Sequence, residues 1–278
     1  MSDSEIPADG GMAAAPLRRR RRLLVVGAAL LVVGAVVAGV LVWWSGGDDL
    51  EPVAAPREDE PPSTATTVAP STTAPLPAGT SMIATSAVPE IQAFADPAEA
   101  AAVATLADRT DYGAPRTFLV EEQQGEWLRV LLPMRPNGSS GWVRASDVAL
   151  SVTTLAIRIE VGAHKVTLFD AGQPVLESAA VVGSPETPTP TGQFFVTDPV
   201  DLRAEPNGPY GAFAFGLSGY SDVLFEFAGG PGQIALHGTN RPDQLGQNLS
   251  NGCIRVPDDV VLQLVDRLPL GTPVEIVA

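Results

Sequence analysis

Five consecutive arginines, Arg18–Arg22, stand directly before Leu23–Trp44, a run of 22 residues without a charged side chain. Lipid offers no partner to a backbone N–H or C=O, so a run of this kind is restricted to a helix that satisfies itself. As a helix it is about 33 Å long at 1.5 Å per residue, enough to cross a hydrocarbon core of roughly 30 Å. Trp43 and Trp44 close it, where amphipathic rings favour the membrane–water boundary. A secretory signal peptide also joins a basic start to an apolar run. Its apolar region is shorter, about 7–15 residues, and a small-x-small cleavage site follows; no such site follows Trp44. An uncleaved anchor is therefore expected. The positive-inside rule keeps residues 1–22 in the cytoplasm and sends everything after Trp44 outside.

The exported part is acidic. The whole chain has 17 Lys+Arg against 32 Asp+Glu, a formal net charge of -15. Residues 1–44 hold five of the basic and three of the acidic residues, which leaves 12 against 29 outside, a net charge of -17. Neutralising phosphates needs clustered Lys and Arg, so this balance argues against a nucleic-acid partner. One Cys and two His allow neither an intrachain disulfide framework nor a Cys/His zinc cluster. Residues 45–80 contain seven Pro, six acidic residues and no aromatic. That composition cannot bury a core and reads as a disordered, semi-extended linker, with a reach on the order of 110 Å as polyproline II.

From residue 84 to 150 short β-type runs alternate with turn signals. Phe118-Leu119-Val120 precedes Gly125-Glu126-Trp127-Leu128-Arg129-Val130, then Pro136-Asn137-Gly138, then Gly141-Trp142-Val143-Arg144. The order resembles bacterial SH3-like domains. Trp127 and Trp142 fit half-buried barrel positions as well as a peptide-binding face.

Residues 153–278 open on strict alternation, with Leu155, Ile157, Ile159 and Val161 apolar around Arg158 and Glu160. An antiparallel meander follows, with further β-type runs at 193–196, 223–227, 233–236 and 273–277. One helix is expected near Pro257–Leu268: Pro257 suits the first position and Asp258 and Asp259 the positive end of the dipole. Val260, Val261, Leu264, Val265 and Leu268 supply its apolar stripe. The expected class is mostly β, with a short helix after the only cysteine.

That cysteine, Cys253, follows His237-Gly238-Thr239 by a short gap, in Ser250-Asn251-Gly252-Cys253-Ile254-Arg255. A lone thiol outside the cell is open to oxidation, and a nucleophile paired with an imidazole base gives a reason to keep it. Two adjacent strand ends would bring Cys253 and His237 together, with Gly238 and Gly252 allowing close backbone approach. On spacing alone a Cys–His hydrolase or acyltransferase stands beside a buried structural Cys and a satisfied core His. His164 sits in a hairpin turn outside any motif and is expected at the surface.

His-Gly-Thr, then Gly246, then Ser-x-Gly-Cys-Ile-Arg resembles the signature of the L,D-transpeptidase (YkuD-type) catalytic domain. Thr187-Pro188-Thr189-Pro190-Thr191-Gly192-Gln193-Phe194 and Gly208-Pro209-Tyr210-Gly211 with Phe215-Gly216-Leu217 are similar to further segments of that family. The resemblance implies Cys253 as nucleophile and His237 as general base. It also implies an oxyanion site near the N–H groups of Gly252 and Cys253, with Gly238, Ser250, Asn251 and Arg255 shaping it. Tyr210 and Phe213 fall at substrate-binding positions. The aromatic, Gly-rich stretch Tyr210–Tyr220 fits a cover over the site and an ordinary packed loop equally well. Arg255 fits a structural ion pair equally well. Asn251 replaces a His or basic residue of many members, and Phe213 a basic one.

The implied reaction is acyl transfer on peptidoglycan stem peptides in cell wall biogenesis: thioester formation on Cys253, release of D-Ala, and a 3→3 cross-link. No metal or nucleotide cofactor is called for. An L,D-carboxypeptidase and a non-catalytic wall-binding protein are the alternatives. The expected location is the cell membrane, single-pass, with the catalytic domain extracytoplasmic.

Overall fold

Apolar runs punctuated by Gly, Pro and Asn fold as strands along most of residues 81–277. The computed structural model describes residues 78–278 apart from Pro206. The expected cytoplasmic segment (1–22), membrane helix (23–44) and nearly all of the expected linker (45–80) lie outside the described residues. Among the described residues no helix is long and apolar enough to cross a membrane.

The first seven strands are β1 (Ser81–Ser86), β2 (Glu90–Phe94), β3 (Ala102–Ala107), β4 (Thr117–Gln124), β5 (Trp127–Leu131), β6 (Ser140–Arg144) and β7 (Val148–Thr153). They form one antiparallel sheet in the order β3-β2-β6-β5-β4-β1-β7. Alternation sets its core: Leu128 and Val130 of β5 are buried and Arg129 between them is exposed. Phe118, Ile91 and Val143 complete the same cluster. Trp127 is half-buried, with the edge of Phe94 at 5.6 Å and the Arg144 guanidinium 4.5 Å over its ring. Trp142 is also half-buried.

Ten more strands follow: β8 (Leu155–Glu160), β9 (Lys165–Asp170), β10 (Gln173–Ala179), β11 (Val182–Gly183), β12 (Gly192–Asp201), β13 (Phe213–Tyr220), β14 (Gln233–His237), β15 (Asn248–Ser250), β16 (Ile254–Arg255) and β17 (Pro273–Val277). Eight of them make a sheet ordered β10-β9-β8-β17-β12-β13-β14-β16. It is mixed. β8 pairs with β17, and β14 with β16, in parallel, while the other neighbours are antiparallel. The single α-helix of the described residues, α1 (Asp258–Val265), starts one residue later than expected, with Pro257 as its non-helical N-cap. Val261 and Leu264 bury its inner face against β13 and β14.

Two stretches depart from the sequence reading. Residues 213–220, part of the expected cover, form β13. Its large residues Phe213, Phe215 and Leu217 alternate with Ala214, Gly216 and Ser218, and the strand is buried up to Tyr220. The expected strand at 223–227 is a loop, in which the Ser221 hydroxyl accepts the N–H of Leu224 at 3.0 Å. Phe225 there is 70% exposed.

A loop of the first sheet grips that second loop. Arg135 donates to the carbonyls of Pro231 (2.8 Å), Ser221 (3.0 Å) and Leu224 (3.0 Å), and its guanidinium lies over Tyr220 and Phe225. Asn137 exchanges two hydrogen bonds with the Tyr220 backbone, at 2.7 and 2.9 Å. A planar fork suits three fixed carbonyls better than an ammonium does. Arg135→Ala should therefore lower the melting temperature by about 2–6 °C, since hydrogen bonds from a charged group contribute roughly 1.5–3 kcal/mol before solvent screening. Limited proteolysis should cut within residues 221–232 sooner in the variant, and Arg135→Lys should recover little. An unchanged cleavage rate would show that the clasp is passive.

Candidate active site

His237 is the last residue of β14, and β16 runs parallel to it with Leu236 opposite Ile254 and His237 opposite Arg255. Successive side chains alternate across a strand. Leu236 and Ile254 therefore enter the core, while Ala235, His237, Cys253 and Arg255 share the other face. That face continues sideways, because Gly216 of β13 pairs with Ala235 and Asp198 of β12 pairs with Gly216. A cleft of about 660 Å³ lies over part of that face, lined by Cys253, Ala235, Tyr210 and Asp198 and, from the loop between β3 and β4, by Tyr112 and Arg116.

The loop that carries Cys253 is clamped from two sides. The Ser250 hydroxyl donates to the Cys253 carbonyl at 2.5 Å and accepts the Gly252 N–H at 3.1 Å. Thr189 donates to the Gly252 carbonyl and accepts the Gly183 N–H, both at 2.9 Å, and Thr187 donates to the Ser250 carbonyl at 3.1 Å. Gly252 has φ +110, a left-handed conformation that favours glycine, and a Cβ there would lie 3.0 Å from Ile234. This corrects one expectation. The Gly252 N–H is already held by Ser250, so the Cys253 N–H, unpartnered among the described residues, is the donor left for an oxyanion.

His237 is 2% exposed. Its Nδ1 lies 2.6 Å from the Gly238 carbonyl, which can only accept, so Nδ1 carries the proton and Nε2 keeps the lone pair. The Tyr210 ring meets the imidazole edge-on with centroids 4.9 Å apart. Gly238 is fixed by close approach: a Cβ there would fall 2.0 Å from Oδ1 of Asp258. That oxygen accepts the Thr239 N–H at 3.0 Å, so the start of α1 pins the segment after the base. The sequence reading gave Asp258 a dipole role only. Neither it nor the Thr187 and Thr189 clamp carries a spacing signal that assigns those partners.

Burial dominates the electrostatics. It lowers the His237 pKa to about 4, with Arg255 adding to the effect and the carbonyls of Gly238 and Tyr210 opposing it. Burial also raises the Cys253 thiol, against the Ala235 backbone and Arg255. Both groups are thus neutral near pH 7. Among the described residues no hydrogen bond joins them. Burial, and then the neighbouring Cys253, push the Tyr210 hydroxyl upward, so it enters the cleft as a neutral donor.

Arg255 makes no ion pair among the described residues. Its Nε has no partner, and Nη1 reaches Gln244 only at 3.5 Å. Phe213 is a correction: it packs on Phe215 in the core, 4% exposed, and contributes its carbonyl to the Gly238 N–H instead of a side chain to the cleft. Asn251 is exposed. His164, expected at the surface, is half-buried, and its ring bonds the Asn248 side chain.

The family model for the L,D-transpeptidase catalytic domain (YkuD) matches residues 155–276, from β8 to β17. The YkuD protein of Bacillus subtilis is 32% identical over 120 residues, 43% of this chain and 64% of its own length. That of Bacillus licheniformis is 30% identical over 155 residues, 53% of this chain and 85% of its own. The chain thus spans slightly under two thirds of the first relative and most of the second. A solved L,D-transpeptidase from Mycobacterium smegmatis is 17% identical, over 59% of this chain and 92% of that one, with a TM-score of 0.38.

Two titrations check the neutral pair. Alkylation of Cys253 by iodoacetamide should stay slow through pH 7 and rise only above the ordinary thiol range, about 8.5. An inflection near pH 6 would instead reveal a thiolate–imidazolium pair. The second concerns stability. The unfolded chain binds a proton on His237 below about 6.5, whereas the folded chain does so only near 4. Stability from this group is complete above pH 6.5 and should be lost as pH falls toward 4. His237→Gln should flatten that decline.

Proposed function

The chain belongs to the family of L,D-transpeptidase catalytic domains, and on that premise we propose that it is a membrane-anchored enzyme that cross-links peptidoglycan stem peptides. The observation that carries this reading is the placement of Cys253 and His237 on one face of adjacent parallel strands, with Cys253 lining a cleft of about 660 Å³. As Sγ attacks the carbonyl between the third residue and the terminal D-Ala of a tetrapeptide, Nε2 of His237 takes the thiol proton. The Cys253 N–H meets the oxyanion. Collapse breaks the peptide bond, the imidazolium returns its proton to the departing D-Ala amine, and a thioester remains. An amine of a second stem then attacks, His237 takes its proton, and the thiol is regenerated with a 3→3 cross-link formed. The unpaired Arg255 fork suits a substrate carboxylate.

Residues 84–150 are read as an SH3-like module that shapes access to the cleft, on the strength of Tyr112 and Arg116 in its lining. Arg18–Arg22 and the uncharged run 23–44 support a single-pass anchor with the catalytic domain outside.

Given a tetrapeptide donor, the protein should release D-Ala, form 3→3 dimers and pass through an adduct on Cys253 visible by intact mass. Cys253→Ser should abolish all three. His237→Ala should slow acylation by about 10²–10⁴, and His164→Ala should leave it unchanged. Tripeptide without dimer would make the protein a carboxypeptidase. Folded protein that gives neither adduct nor D-Ala would end the enzyme reading. For topology, protease added to intact spheroplasts should remove the chain after Ser45.

A further inference from the structure

Asp198 lies in the floor of the cleft, away from the reacting pair, and the described residues leave it only partly satisfied. It is 2% exposed and its Oδ1 has no hydrogen-bond partner. The donor to Oδ2, Nε2 of Gln233, stands at 3.5 Å and already serves Thr197 at 3.1 Å and the Leu217 carbonyl at 2.9 Å. No arginine pairs with it either. Arg116, in the same cleft, donates to the carbonyls of Ala107 and Arg109, and Arg135 donates to three carbonyls. A buried carboxyl with one oxygen unpaired and the other served only by a long, shared donor is costly to keep. A ligand that brings the donor relieves that cost.

The sheet register says how far this carboxyl lies from the thiol. Asp198 pairs with Gly216, Gly216 with Ala235, and Cys253 sits one residue before the Leu236–Ile254 pair. The four residues therefore form a row across β12, β13, β14 and the start of β16. Three strand spacings make that row about 14 Å long. Between its ends Gly216 and Ala235 contribute only a hydrogen and a methyl group, and the side chains of Asp198 and Gln233 lean over Gly216, so the row is a trough that the carboxyl closes at one end.

We infer that Asp198 is a specificity residue of the donor site, taking the primary ammonium at the end of the third residue's side chain while Cys253 attacks that residue's carbonyl. The inference rests on the stem-peptide reading above. In a diaminopimelate or lysine side chain six bonds separate that carbonyl carbon from the terminal nitrogen, an extended span of about 7.5 Å at standard bond lengths. A thiol–carbonyl approach of about 3 Å and a hydrogen bond of about 2.9 Å bring the reach to roughly the length of the row. The acceptor amine is a different group. It must be neutral and touch the thioester, and an amine held at Asp198 does neither.

The test uses the purified chain and three tetrapeptide donors: one with a free side-chain amine, one with that amine acetylated, and one with a side chain two carbons shorter. Iodoacetamide alkylation of Cys253 reports thiol reactivity without any amine. The unaltered protein should prefer the free, full-length amine by about 10–100-fold in kcat/KM, the worth of one hydrogen bond to a charged group. Asp198→Asn should bring that donor down to the other two, which stay within about two-fold, as should alkylation. Equal use of all three donors by the unaltered protein would overturn the inference while leaving the transpeptidase reading intact, and it needs no variant to fold. An equal loss on every donor and in alkylation by Asp198→Asn would also overturn it, as a structural effect. If no donor acylates Cys253 in the unaltered protein, the stem-peptide reading falls and this inference falls with it.

Discussion

Leu236 opposite Ile254 and His237 opposite Arg255 tie β16 to β14 in parallel, and the reacting pair exists only in that register. A slip by one residue would send Cys253 into the core and Ile254 into the cleft. Two residues of strand cannot hold such a register alone. Ile254 and Val256 anchor it from below, each with no exposed surface, and the Val256 N–H reaches the His237 carbonyl at 2.9 Å. Val181 adds a bridge to Arg255, with both N–H···O bonds at 2.9 Å. Ser250, Thr187 and Thr189 hold the preceding loop by its carbonyls. The nucleophile is thus placed by a short edge strand that the rest of the fold locks in position.

Burial gives the pair its chemical character. A thiol raised by desolvation and an imidazole lowered to about 4 are both uncharged at neutral pH, so the resting site resists oxidation and non-specific alkylation. Reactivity then waits for a substrate to bring the carbonyl and, with it, somewhere for negative charge to go. The Gly238 carbonyl fixes the tautomer in advance, so no ring rotation is needed when the proton moves. The Cys253 N–H left free by the Ser250 contact plays the matching part for the oxyanion.

The candidate nucleophile and base were legible because their residue types, spacing and flanking glycines form a dense motif. The helix after Cys253 was legible from its acidic start and apolar stripe. Strand β13 was hidden by its glycines, although the alternation of Phe213, Phe215 and Leu217 with small residues has the period of a strand. The run at 223–227 misled in the opposite direction: its composition suits a strand, but beyond the single Phe227–Gly230 bridge it joins no strand and is held by Ser221 and Arg135 instead. Asp258, Thr189 and Asp198 act across long sequence separations, on partners that only the sheet order brings near. Phe213 aligned with a substrate position, yet the strand's alternation turns it inward.

The same register explains why the two sheets share one site. The cleft floor is made of Ala214, Gly216 and Ala235, side chains too small to wall it in. The wall comes from the loop between β3 and β4, through Tyr112 and Arg116, and from the loop at 227–232. That loop stands where it does because Arg135 and Asn137 hold its carbonyls and the end of β13. The chain is strongly acidic overall, and Arg116 and Arg135 spend donors on backbone carbonyls instead of carboxylates. Asp198 is therefore left without an arginine partner among the described residues. Arg255 beside the nucleophile and Asp198 at the far end of the cleft both lack an ion-pair partner among the described residues, so the two ends of the site differ in chemistry.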